Sequence, residues 1–237
     1  MNSVLFKEPF LGFNKEALDF LKKLKNPKFN NKNWFDKSRD IYETYVKQPM
    51  RSLIDALSGE LKHIDTDLVI NYKSIFRINR DIRFSKDKTP YKNHYSAAFC
   101  FNSIKKSDIP QFYFHFSSDE FIFASGQYSA EPLKLKKIRK KIYNEFDEFV
   151  SIISKKDFIR EYKKIEGESL TRLPKEYERI KSDNSKKLLK DFLKMKQYYV
   201  YKEYKPEIIL DTGLIDIIKY NTILTYDFVK FLNESII

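Results

Sequence analysis

The chain has 237 residues, with 45 Lys+Arg against 33 Asp+Glu, a formal net charge of +12, and one cysteine. At ~150 residues per domain this length holds one large domain or two small ones, and it buries enough surface to fold without staples. The 42% hydrophobic content excludes disorder over most of the chain, and the lone Cys100 excludes a disulfide framework and a cysteine-built zinc or iron–sulfur site. No uncharged apolar run nears the ~18 residues of a membrane span. Lys7, Glu8 and Pro9 stand where a signal peptide needs its apolar stretch. The expectation is a soluble, cytoplasmic protein with no membrane partner.

In chain order, residues 14–25 predict a helix with Asn14 as N-cap and Ala17, Phe20, Leu21 and Leu24 on one stripe. Asn26-Pro27 ends it. A second helix is expected over 33–47, with Trp34 as a packing anchor. Pro49 interrupts and opens a third helix over 49–62, whose stripe is Met50, Leu53, Ile54, Leu57 and Leu61. His63 stands at its end, where a cation suits the dipole.

The period then changes. Ser74–Ile78 reads as a short strand, followed by 79–93 with no hydrophobic periodicity. Residues 94–102, 110–117 and 120–127 read as aromatic-rich strands. A turn at Ser117–Glu120 pairs Phe116 with Phe121. Phe112, Phe114, Phe116, Phe121 and Phe123 then share one face, and Tyr113, His115 and Ile122 share the other. Cys100 is expected as a small buried hydrophobe.

A long helix is predicted over 131–153 with Ile138, Ile142, Phe146, Phe149 and Ile153 at helical spacing. Shorter helices follow over 155–163 and 185–195, then a strand over 197–204 and a last helix over 214–233. The fold class expected is α+β: a single domain, with an antiparallel sheet of about five strands and helices packed largely on one face. It divides into N-terminal helices (14–62), a strand core (74–127) and a C-terminal helical part (131–237).

Charge is distributed unevenly. Lysine outnumbers arginine 36 to 9, yet three arginines fall within residues 77–83. A chain that uses lysine wherever a plain charge suffices has placed the planar five-donor fork three times in one short stretch. That fork grips carboxylate or phosphate bidentately. Residues 71–94 carry seven Lys/Arg (Lys73, Arg77, Arg80, Arg83, Lys86, Lys88, Lys92) against Asp81 and Asp87, with Phe76, Phe84, Tyr91 and His94 interleaved.

The run Ile75-Phe76-Arg77-Ile78-Asn79-Arg80-Asp81-Ile82-Arg83-Phe84-Ser85-Lys86-Asp87-Lys88, followed by Thr89-Pro90-Tyr91-Lys92, resembles the signature of the domain of unknown function 2461 family. Asn31-Lys32-Asn33-Trp34-Phe35, Gly126, Glu131-Pro132, Ile138-Arg139, Gly167, Leu170, Arg172, Pro174-Lys175 and Lys196 extend the similarity over most of the chain. Glu176 stands where that family has a glycine. The resemblance implies a soluble single-domain protein of unassigned activity, with no catalytic residue supplied.

The chemistry of the residues points to an anion. Residues 60–125 hold no glycine, which excludes a P-loop or dinucleotide turn there. Side-chain clamps remain. On one reading, Arg77, Arg80, Arg83, Lys86, Lys88 and Lys92 cradle a phosphorylated small molecule, a nucleotide or nucleic acid, with Asp81 or Asp87 orienting them and aromatic rings stacking a base. On the other, the same residues form an ion-paired brace, and the chain is a structural or protein-interaction module.

Asn79, Ser85 and Tyr91 belong to the same stretch. His94 and His115 are expected on one sheet face as a potential acid–base pair, and no metal site is proposed. Arg139 is the one arginine in a lysine-rich helix face and is expected to reach the 77–92 loop or its ligand. The sequence assigns no cofactor, reaction or oligomeric state.

Overall fold

The computed structural model describes residues 9–102 and 108–236. It is an α+β fold with a five-stranded antiparallel sheet in the order β1-β2-β3-β4-β5. Two compact units make up the chain. The first takes the described residues up to 102 with Tyr113–Phe123 and Glu203–Asn221. The second takes 108–112, Ala124–Lys202 and 222–236.

Helix α1 (Lys15–Leu24) forms as its stripe predicts. Asn14 accepts from the Lys15 N–H, and Ala17, Phe20, Leu21 and Leu24 are buried. The predicted second helix is interrupted. It forms α2 (Lys32–Lys37), breaks at Ser38, and resumes as α3 (Arg39–Ile41). Trp34 packs against Phe20 and Phe29.

Pro49 does not end a helix either. The chain widens into a π-helical segment over Tyr42–Lys47 and runs directly into α4 (Gln48–Lys62). The Gln48 N–H reaches five residues back to the Glu43 carbonyl. Proline lacks an N–H and its ring collides with the carbonyl four residues earlier. A wider turn just before it absorbs that conflict. Such turns recur at functional sites.

The strand expected at 74–78 is absent. Asn71 and Ser74 cap each other around a 3-10 turn at Tyr72–Ser74, and beyond it only Ile75 bridges, to Ala97. The first strand instead is β1 (Leu68–Val69), whose residues pair with Phe101 and Cys100. Asn71 serves a local cap better than a ladder, which is why the strand stops before it.

Strands β2 (His94–Phe101), β3 (Gln111–Ser117) and β4 (Phe121–Gln127) match their predicted positions. The predicted strands 94–102 and 110–117 also imply a hairpin turn near residue 105, which lies outside the described residues. The Ser117 N–H bonds the Glu120 carbonyl at 2.9 Å, which closes the turn in the register that sets Phe116 opposite Phe121. All five phenylalanines of that face are fully buried, whereas β2 is buried at every position from Tyr95 onward.

In the second unit the predicted long helix is two: α5 (Pro132–Asn144) and α6 (Phe146–Ile153). Glu145 sits outside helical geometry between them. The break turns Phe149 into an aromatic cluster with Phe192, Phe228 and Phe231. Helices α7 (Lys156–Tyr162) and α8 (Lys187–Lys194) and strand β5 (Tyr198–Tyr204) follow as expected. The last predicted helix is also split, at buried Thr225, into α9 (Leu214–Leu224) and α10 (Tyr226–Glu234).

Candidate functional site

Residues 75–92 form an irregular double-back. The Phe76 N–H bonds the Ser96 carbonyl at 2.9 Å, the Lys92 N–H the Ile78 carbonyl at 2.9 Å, and the Arg80 N–H the Pro90 carbonyl at 2.8 Å. Its arginines are put to different uses.

Arg80 is a brace. Its Nη1 donates to Asp87, to the Thr89 hydroxyl and, at 3.1 Å, to the Thr89 carbonyl, and Nη2 reaches Ser85 Oγ at 3.4 Å. Asp87 also accepts from the Thr89 N–H at 2.9 Å. Those bonds, with Arg80, push its pKa down to about 2. Arg83 grips Asp81 with both arms, Nε to Oδ1 at 3.0 Å and Nη2 to Oδ2 at 2.7 Å. Lys88 donates to the Ile82 carbonyl at 3.0 Å, and Lys86 is exposed. Arg80→Ala is expected to loosen this tip. Tryptic cleavage within 83–88 should become several-fold faster while the global melting transition holds. Unchanged cleavage kinetics would remove the brace.

Arg77 points elsewhere. It lines a cleft of about 540 Å³ whose other wall is the π-helical segment and α4. Four cations border this cleft (Arg39, Lys47, Arg51 and Arg77) against one acid, Glu43. Arg39 is paired with Asp36 at 2.6 Å and Lys47 with Glu43 at 2.7 Å. Among the described residues Arg51 and Arg77 have no carboxylate partner. The Arg51 guanidinium lies 5.4 Å from the Tyr72 ring centre, and the Tyr72 hydroxyl donates to Asp55 at 2.6 Å.

Aromatic rings complete the walls. Tyr91 stacks on Phe35 with centroids 4.0 Å apart and planes 13° apart. Asn30, which the sequence reading missed, holds Tyr91 in place. Its Oδ1 accepts from the Tyr91 N–H at 3.0 Å and its Nδ2 donates to the Tyr91 carbonyl at 2.9 Å. The Tyr42 and Tyr95 hydroxyls meet at 3.3 Å. Burial pushes both phenols up, so they stay protonated and act as hydrogen-bond donors, not bases.

Tyr91 also borders a second cavity of about 450 Å³, shared with Arg80, Lys92 and His94. Burial first, and Arg77 second, lower the Lys92 pKa. The His94 and His115 rings lie 5.1 Å apart. Burial, the neighbouring imidazole and Lys92 push His94 down to about 4. His115 is lowered by burial despite Glu120 at 3.3 Å, and its Nδ1 has no partner among the described residues.

The structure thus gathers Arg77, Asn79 and Tyr91 on one cleft, and Arg80, Lys92 and His94 on the next. Arg139 belongs to the second unit. It is buried there and its Nη2 donates to the Met195 carbonyl at 2.8 Å. Arg39, Arg51, Tyr42, Tyr72 and Tyr95 went unseen as site residues. The only sequence signal for Arg51 was scarcity: it is one of nine arginines, set between the core positions Met50 and Leu53 of α4.

This is an α+β protein whose first unit carries a cation-rich, tyrosine-walled cleft. The family model described as "Conserved hypothetical protein (DUF2461)" matches residues 16–231, and the chain belongs to that family. No curated protein matches the sequence.

Proposed function

We propose that the first unit binds a small phosphorylated molecule in the cleft between the π-helical segment, α4 and residues 75–79, with Arg51 and Arg77 as the phosphate clamp. One observation carries this reading. Arg80 and Arg83 are consumed by acids of their own loop, while Arg77 and Arg51 border one cavity whose single acid, Glu43, is paired with Lys47, and neither has a salt-bridge partner among the described residues. Unpaired guanidinium groups around a pocket favour a ligand that brings negative charge. The stacked Phe35–Tyr91 pair and Tyr72 supply flat surfaces for a planar group on that ligand. The loop reading divides in consequence: Arg80, Asp81, Arg83 and Asp87 hold the loop, and Arg77 serves the ligand. As part of the same proposal the protein works in the cytoplasm, where a single buried thiol such as Cys100 stays reduced.

The test is a thermal-shift panel at low salt with inorganic phosphate, sugar phosphates, nucleotides and coenzyme A. A compact anion at ~100 times its Kd adds about 2.7 kcal/mol, or roughly 5–10 °C for a chain of this size. Arg77→Ala and Arg51→Ala are each expected to abolish that shift, and Arg83→Ala to keep it. A shift that survives the double Arg51/Arg77 variant, or a panel with no shift at all, overturns the proposal.

A further inference from the structure

A second basic surface lies in the other unit. A 3-10 helix at Lys175–Ile180 buries Tyr177 and Ile180, and α8 buries Leu189 and Leu193. These anchors turn the remaining faces outward, around a trough of about 740 Å³. Lys187, Lys190 and Lys194 lie on its α8 side, with Arg172 and Lys181 also lining it. The three lysines are spaced i, i+3 and i+7, which puts them on one helix face over about 10 Å.

Two acids line the trough, Glu178 and Asp191, so five cations face two anions. Asp191 is engaged by Lys194 at 3.1 Å. Lys190 donates to the Lys181 carbonyl at 3.1 Å, a bond that ties α8 to the preceding turn without neutralising its charge. Arg172, Lys181 and Lys187 have no carboxylate partner among the described residues. Lys187 is the first residue of α8, and that first turn contains no acid. The dipole there opposes a cation and favours an anion. Among the described residues no aromatic ring borders the trough, so none of them stacks a planar group there.

We propose that this trough seats the phosphate backbone of a nucleic-acid strand, independently of sequence. A row of cations about 10 Å long suits a chain of successive phosphates better than one compact anion, and the lack of rings directs contact to the backbone. The inference is independent of the cleft in the first unit.

The test uses the full chain and a fluorescein-labelled single-stranded RNA 20-mer, read by anisotropy between 50 and 300 mM salt. About three phosphates neutralised predicts a log–log salt slope near −2, at ~0.7 per phosphate on a single strand. The Arg172→Ala/Lys181→Ala/Lys187→Ala variant is expected to weaken binding at least tenfold at 50 mM salt and to flatten the slope. A control with the same charge loss on exposed helix residues of the first unit, Lys22→Ala/Lys23→Ala/Lys32→Ala, should bind nearly as the parent does. Melting curves confirm that both variants fold. No binding of the 20-mer, equal loss in both triple variants, or loss only in the Arg51/Arg77 variant would each overturn the proposal. So would binding of inorganic tripolyphosphate to the trough without binding of the strand.

Discussion

Gly126→Ala is expected to destabilise the protein by about 4 kcal/mol, a large effect for one added methyl group. Gly126 sits in β4 at φ +115°, a conformation that a side chain strongly disfavours. The alanine Cβ would lie 2.2 Å from the Tyr198 carbonyl oxygen of β5 and 2.9 Å from the Phe228 ring. Both neighbours are fully buried, so neither has room to move. Backbone strain of about 1–3 kcal/mol and overpacking of about 1–3 kcal/mol then add. Urea unfolding should show a lower midpoint at unchanged slope. A loss below about 1 kcal/mol would mean that β4 and β5 separate freely, contrary to the close approach seen here.

The second large effect is on pH. His94 is half-buried beside His115 and Lys92, and its pKa falls from 6.5 to about 4 on folding. The unfolded chain therefore binds the proton more tightly than the folded one. Stability from this group is fully present above about pH 6.5 and is lost progressively as pH falls toward 4. The full loss is about 3 kcal/mol, at 1.36 kcal/mol per pKa unit. His115 is lowered by burial and acts in the same direction. Asp87, whose pKa is also lowered, contributes only at more acid pH, because its ordinary value is already 3.8. Stability measured from pH 7 to 4 should fall steeply in the parent, and much less in His94→Gln. Parallel curves for the two proteins would assign the acid sensitivity elsewhere.

Local chemistry determined much of this protein. The stripe of α1, the Asn14 cap, the Phe-rich hairpin and its register follow from residues close in sequence, since a period of 3.6 or 2 places each side chain before any distant contact forms. That this loop holds both cations and acids was legible for the same reason, but the pairing was not: Arg80 takes Asp87 and Thr89 rather than the adjacent Asp81, which goes to Arg83. Helix breaks at Ser38, Glu145 and Thr225 were not legible, because periodicity continues through a break and only packing reveals it. Pro49 opens the first turn of its helix as expected, but the interruption expected before it does not occur, because a π-helical segment one turn earlier absorbs its cost.

The candidate site divides along the same line. Composition alone showed that arginine is scarce and clustered, hence that geometry matters at 77–83. It did not show which arginine is free. Arg51 lies 26 positions before Arg77, and their convergence on one cleft depends on how α4 packs beside residues 75–79. Arg139 looked equally available, yet it is buried in the other unit against the Met195 carbonyl. Whether a cation is spent on a neighbouring acid, buried against a carbonyl or left facing a cavity is settled by distances of a few ångströms between segments far apart in the chain. Coulomb and hydrogen-bond energies change most over that range, and only the tertiary structure sets it.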